Sequence, residues 1–265
     1  VEVQGGDAAR QFAEYIGACS EAENAAINAE YRHAEKYFET NDNPDTMAVY
    51  KARVDETAAR LSRMKRGFIT EHPDYHISSV LVFKEMMKTF VYHEDELVAM
   101  VESVKACPNT ARINLNSRAL DWSRNYCLGR VYSDFALTDD RGAVKHLADY
   151  VESGKYTFID FWASWCGPCR DAIPHVRKIR ELYADRMNVY SISCDESEPA
   201  WRKAMEKEKM EWTQLRLTQD QLGAVGRHYL LSAIPRLILL DPQGRIVCST
   251  NLPAEIDKYL EENLK

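Results

Sequence analysis

Along residues 7–39, "DAARQFAEYIGACSEAENAAINAEYRHAEKYFE", apolar positions recur every three or four residues among Ala, Glu and Asn, with no proline. Ala, Glu and Lys lose little side-chain freedom in a helix, so propensity and period agree on one long helix. Phe12, Ile16 and Cys19 are expected to share one of its faces. "TNDNP" ends the pattern, and Pro44 suits the first turn of a second helix, which runs to about Thr70 and is polar around much of its surface. After a break at "EHPDYH" comes a more apolar stretch, "ISSVLVFKEMMKTFVY", whose Phe83, Met86, Met87, Phe90 and Tyr92 read as core. "EDELVAMVESVKAC" follows, then a stop at Pro108, then "TARINLNSRALDWSRNYC". About five amphipathic helices account for this region, with no repeat of fixed period.

From about residue 131 the pattern changes. "SDFALTDDRGAV" alternates around a turn signal and predicts a short hairpin. "YTFIDFWA" is apolar on both sides, as a buried central strand should be, and "PHVRKIRELYADR" continues a helix. "MNVYSISCD" reads as a strand, "EPAWRKAMEKEKM" and "DQLGAVGRHY" as helices. "RLILLD" and "RIVCST" flank "PQG" as a second hairpin, and "PAEIDKYLEENLK" closes as a helix. The prediction is an all-helical region over residues 1–130 and, over 131–265, a mixed sheet covered by helices, with the boundary near Leu128–Tyr132.

A chain of 265 residues, 45% hydrophobic and 28% charged, has material for a real core and room for two ordinary domains. Its net charge of −7 argues against nucleic acid or an anionic membrane as an obligatory partner. No apolar run approaches bilayer length, so no membrane span is expected. "VEVQGGDAAR" lacks the basic and apolar regions of a signal peptide. Seven cysteines, an odd and modest number, do not make a disulfide-stapled scaffold, and only Cys166 and Cys169 are close in sequence.

Those two cysteines sit in "FIDFWASWCGPCR", residues 158–170. A strand that turns tightly into a helix exposes the helix N-terminus, where the first N–H groups lack intrahelical partners and the dipole is positive. A thiolate there is stabilised, so Cys166 is expected to ionise more readily than a free thiol and to attack disulfides. Cys169 lies one helical turn on, within reach of the same sulfur. Gly167 relieves crowding and Pro168 suits the first helical turn, so the pair can cycle between dithiol and disulfide with little backbone movement. Asp160, inside the apolar strand, costs desolvation energy unless something offsets it. Either burial raises its pKa and it relays a proton to or from Cys169, or a neighbouring lysine or backbone amide satisfies it. Trp165 either packs or shields the sulfur and contacts substrate.

"DFWASWCGPC" resembles the active-site signature of the thioredoxin superfamily, and "SDFALTDDRGAVKHLADYVESGKYTFIDFWASWC" is similar to the extracytoplasmic TlpA/ResA-like thiol-disulfide oxidoreductases. Pro174, five residues after Cys169, falls where the family has a helix-kinking proline; "SAIPRLILLDPQGRIV" resembles the segment holding the family's cis-proline, which makes Pro235 the candidate. The resemblance covers roughly 131–265 and implies an α/β thioredoxin fold there. It also implies attack by Cys166, resolution by Cys169, proton transfer by Asp160, and substrate contacts from Trp165, Gly167, Pro168, Ile234 and Pro235. The implied partners are protein disulfides and an unidentified thiol redox partner, with no cofactor. The implied location is the periplasm or cell envelope. A Gly-Pro pair between the cysteines resembles the reducing members. Two departures stand out: Arg236 follows the candidate cis-proline where Thr is common, which predicts a more basic groove, and Arg170, Asp171 and Ala172 follow Cys169 where some relatives carry a glutamate. The helical region resembles, more loosely, the segment preceding the thioredoxin module in some larger envelope members.

Three other readings compete. A CxxC can be half a zinc site, but Cys194, Cys248 and His175 have no partner at ligand spacing. A peroxidatic cysteine needs Thr or Ser three residues upstream; here that residue is Ala163. Thirdly, the helical region could recognise a client with the second domain mainly as scaffold, against which the intact CGPC speaks. Cys194 and Cys248 read as small buried apolar groups, and a Cys107–Cys127 bridge is not called for.

Overall fold

The computed structural model describes residues 6–39, 44–87, 91–229, 231 and 233–264. Phe90, and the first five residues of the N-terminal segment read above, lie outside them. Contacts divide the chain into two compact units: Val1–Met87 with Val98–Leu120, and Lys88–Leu97 with Asp121–Lys265.

Five helices come first: α1 (Asp7–Glu39), α2 (Pro44–Glu71), α3 (His76–Met86), α4 (Glu94–Ser103) and α5 (Thr110–Ser123). The run of helix formers makes α1 continuous over 33 residues, and α2 opens on Pro44. The face that α1 buries is Gln11, Tyr15, Cys19, Ala22, Ala26 and Ala29, at helical spacing. Its alanines present little bulk to α2, the helix α1 chiefly packs against. Phe12 and Ile16, expected on the same face as Cys19, are instead 51% and 39% exposed. Each follows a buried residue by one position, and one residue turns the helix by 100°, which carries them off the narrow stripe. In the apolar third helix Met86 is fully buried, whereas Met87, just past its end, is exposed; Phe83 and Tyr92 are half-buried. Buried Asn116 of α5 donates from Nδ2 to the Ser79 carbonyl and hydroxyl of α3 at 3.2 and 3.0 Å.

The second unit is built on a seven-stranded sheet. Its strands are β1 (Ala136–Asp139), β2 (Val144–His146), β3 (Tyr156–Trp162), β4 (Met187–Ser193), β5 (Gln214–Arg216), β6 (Arg236–Leu240) and β7 (Ile246–Thr250), in the spatial order β2-β1-β5-β4-β3-β6-β7. β3 runs parallel to β4 and antiparallel to β6, and β4 runs parallel to β5. Both predicted hairpins, β1–β2 and β6–β7, are present. Gly142, at φ 81°, and Gly244, at φ 73°, take the left-handed conformation their turns require. Four helices complete the unit: α6 (Gly167–Leu182), α7 (Glu198–Lys207), α8 (Gln219–Tyr229) and α9 (Pro253–Asn263).

Alternation along β3 divides the core. Phe158 and Trp162 pack with Ile173 and Val176 of α6, Trp201 of α7, and Ile256 and Leu260 of α9. Ile159 and Phe161 pack with Val225 and Tyr229 of α8 and with Leu215 and Ile238. Because β3 is covered on both faces it reads as a continuous apolar run. The exception is Asp160, which by alternation falls on the α6 face between Phe158 and Trp162.

Candidate active site

The C-terminal end of β3 delivers the chain to α6 through Ala163, Ser164 and Trp165. Cys166 is the N-cap of α6, and its Sγ accepts the backbone N–H of Cys169 at 3.2 Å. Pro168 occupies the first turn, where its missing N–H costs nothing. Cys166 and Cys169 form a disulfide with Cα atoms 5.3 Å apart, so one helical turn suffices to bridge them. The expected exposed thiol is nearly covered: Cys166 is 5% exposed, and Cys169 is buried beneath it. Trp165, Gly167 and Pro168 are exposed, Trp165 at 70%. Pro174 lies within α6 and withdraws one N–H from the ladder.

The segment before β6 closes the site. Ile234–Pro235 is a cis peptide bond, and the Ile234 carbonyl oxygen lies 3.7 Å from Cys166 Sγ. Trp165 and Ile234 also line a groove of about 390 Å³, together with Cys194, Leu222, Leu231 and Ala233. The groove is apolar in lining. Arg236, expected to make it basic, is instead buried as the first residue of β6 and is not among the residues that line the groove. Burial lowers its pKa to about 10.

Asp160 is 1% exposed. Among the described residues neither a lysine nor a backbone amide is its partner. Ser191, directly opposite on β4, donates its hydroxyl to Oδ2 at 2.9 Å. Burial pushes the Asp160 pKa up to about 7, with the serine hydrogen bond opposing the rise. The sign agrees with the expectation for a carboxyl in an apolar strand.

One anchoring residue had no signal in the sequence. Asp195 is buried just past β4, where Oδ2 accepts Ser164 N–H at 2.8 Å and Ser193 Oγ–H at 2.8 Å, and Oδ1 accepts Ser164 Oγ–H at 2.6 Å. It thus ties down the turn that carries Trp165 and Cys166. The only cue in "SISCDES" was an acidic residue after a strand, and such residues usually face solvent.

Of the other cysteines, Cys19, Cys107, Cys127, Cys194 and Cys248 are free thiols. Burial pushes Cys194 up to about 12, helped by Asp195 and Asp160, and pushes Cys248 to about 12. Cys248 is half-buried rather than buried. Among the described residues no group of three His, Cys, Asp or Glu side chains could hold a metal ion, and no helix is long and apolar enough to cross a membrane.

A cysteine pair capping a helix at the end of a central parallel strand, with a cis-proline facing it, defines a thiol–disulfide exchange module. The Thioredoxin-like family model matches residues 154–246. Thiol-disulfide oxidoreductase ResA of Geobacillus kaustophilus is 28% identical over 138 residues, which is 51% of this chain and 76% of that protein. Thioredoxin 1 of Synechococcus elongatus is 41% identical over 118 residues, 42% of this chain and 87% of that one. The crystal structure of the thioredoxin domain of a thiol-disulfide oxidoreductase from Bacteroides vulgatus has a TM-score of 0.46 and 31% identity, covering 50% of this chain and 97% of its own. The chain belongs to the thioredoxin-like family of thiol-disulfide oxidoreductases.

Proposed function

We propose that this protein reduces disulfides of other proteins in an extracytoplasmic compartment through the Cys166–Cys169 pair. In the dithiol form Cys166 ionises at the start of α6, and its thiolate attacks one sulfur of the substrate disulfide. A mixed disulfide forms and the first substrate thiolate leaves. Asp160, as carboxylate, takes the proton from Cys169. The Cys169 thiolate attacks Cys166 Sγ, the Cys166–Cys169 disulfide closes, and the second substrate thiolate leaves. Two electrons pass to the substrate, and a thiol redox partner must return them.

The observation that carries this reading is the disulfide at the mouth of α6, with the Ile234 carbonyl 3.7 Å from Cys166 Sγ. Next to Pro235, that carbonyl is a backbone acceptor for an extended peptide. Trp165, Gly167 and Pro168 form the facing edge, and the apolar groove beside Trp165 favours a substrate with an apolar side chain near its cysteine. We assign catalysis to residues 131–265 and selection of the client to the helical residues 1–130. The likeness of the catalytic segment to extracytoplasmic TlpA/ResA-like enzymes supports an envelope location.

A redox titration of the Cys166/Cys169 couple, run beside insulin-disulfide reduction, tests the direction. A potential near that of thioredoxin, about −270 mV, supports a reductant. A potential near that of the oxidant DsbA, about −120 mV, with no insulin reduction, would refute it.

A further inference from the structure

We propose that Ser191 is a positioning residue that sets the proton affinity of Asp160, and that Trp212 fixes the direction in which its hydroxyl points. The inference rests on the acid–base role proposed for Asp160. A serine hydroxyl carries one proton and two acceptor lone pairs. Trp212 Nε1–H donates to Ser191 Oγ at 2.9 Å and occupies one lone pair. The indole N–H is donor only, so the serine proton has no acceptor on that side. Asp160 Oδ2, 2.9 Å from Ser191 Oγ, receives it. All three groups are buried, and a donated hydrogen bond favours the charged carboxylate against the desolvation that disfavours it. The result is a carboxyl group whose charge is moderated by a neutral hydroxyl.

The groups around Asp160 leave Ser191 as the determinant. β6 sets Leu237 opposite it, and α6 brings the Cys166–Cys169 disulfide to the same face. Cys194, just past β4, shares an electrostatic interaction with Asp160 but holds its own proton near neutral pH. Gln214, paired with Ser191 across β5, is neutral, and its amide atoms make no hydrogen bond among the described residues. Among the described residues no lysine, arginine or histidine shifts the pKa of Asp160.

The test reads Asp160 directly in the full-length oxidised protein by carbon-13 NMR titration of aspartate carboxyls, with Asp160→Asn identifying the resonance. Ser191→Ala should raise the midpoint by about one pH unit, the size expected for losing a hydrogen bond to a charged group. Trp212→Phe should raise it by less, since the hydroxyl remains but is free to turn. The acidic limb of the insulin-reduction rate, driven by dithiothreitol, should move with the midpoint, because the carboxylate is the form that takes the proton. A midpoint unchanged or lowered in Ser191→Ala overturns the inference. A midpoint unchanged in Trp212→Phe overturns the orienting role of the indole. Failure of the underlying acid–base role looks different: Asp160→Asn would keep the wild-type rate limb, while Ser191→Ala would still move the carboxyl resonance.

Discussion

Asp160→Asn should make the oxidised protein more stable, and increasingly so as pH rises. An unfolded aspartate ionises near pH 3.8, whereas in the fold burial holds its pKa at about 7. Between those values the folded state binds more protons at this position than the unfolded state. Stability contributed by the protonated form is therefore lost as pH climbs from about 4 to about 7, and the loss levels off above that. A separation of about three pH units corresponds to about 4 kcal/mol at 1.36 kcal/mol per unit. Asparagine reproduces the neutral acid: its carbonyl can accept the Ser191 hydroxyl, and its amide replaces the unpartnered Oδ1. The variant should thus match the wild type near pH 4 and exceed it by about 4 kcal/mol at pH 8. Four of the five tryptophans, at 162, 165, 201 and 212, lie well inside the second unit and Trp122 at the end of α5, so urea unfolding followed by tryptophan fluorescence reports chiefly on that unit. The oxidised form is required because the two thiols would add titrations of their own. A stability difference that stays flat from pH 4 to pH 8 would mean that Asp160 does not ionise with a raised pKa, and the proton-transfer role would fall with it.

Cys169→Ser should accumulate mixed disulfides with protein substrates through Cys166, seen on non-reducing gels; equal trapping by Cys166→Ser would reverse the assigned roles. Trp165→Ala should raise KM for insulin several-fold with a stability change within about 0.5 kcal/mol, because the ring is 70% exposed; an unchanged KM removes Trp165 from the substrate edge. Asp195→Ala strips the acceptor from Ser164 N–H, Ser164 Oγ–H and Ser193 Oγ–H and should cost about 1–3 kcal/mol by urea denaturation; a neutral effect would refute the anchoring of the turn. Ala22→Leu, at a fully buried position on α1, should destabilise the helical unit by about 1–3 kcal/mol in circular-dichroism melts, and no loss would mean the α1–α2 contact has room to spare.

The limits of α1 and α2 were legible because a long helix repeats its signal over many residues, and Pro44 suits a helix's first turn but not its interior. The choice of buried face was not. Phe12 and Ile16 carry more apolar surface than Ala22, Ala26 and Ala29, yet close approach by α2 favours the small residues, and that depends on a partner the local pattern does not contain. Within the second unit the signature 158–170 was readable because backbone geometry, helix polarity and sulfur chemistry all act within a dozen residues. Arg236 shows the opposite case: its charge pointed to the groove, but as the first residue of β6 it is buried.

β5 is the element that sequence reasoning passed over. Three residues, two of them polar, are too few for alternation to register, and Gln214–Arg216 becomes a strand only because β4 and β1 stand ready on either side. By itself the sequence determined what is local: helices, hairpins, the buried central strand, the turn that places one cysteine at a helix start with the other a turn away, and an aspartate where charge is costly. Tertiary structure alone decided what depends on groups distant in sequence: that Ser191 rather than a lysine meets Asp160, that Asp195 holds Ser164, and that Ile234 faces Cys166 from 68 positions away. Periodicity and propensity act through near neighbours along the chain, whereas hydrogen bonds and desolvation act through near neighbours in space.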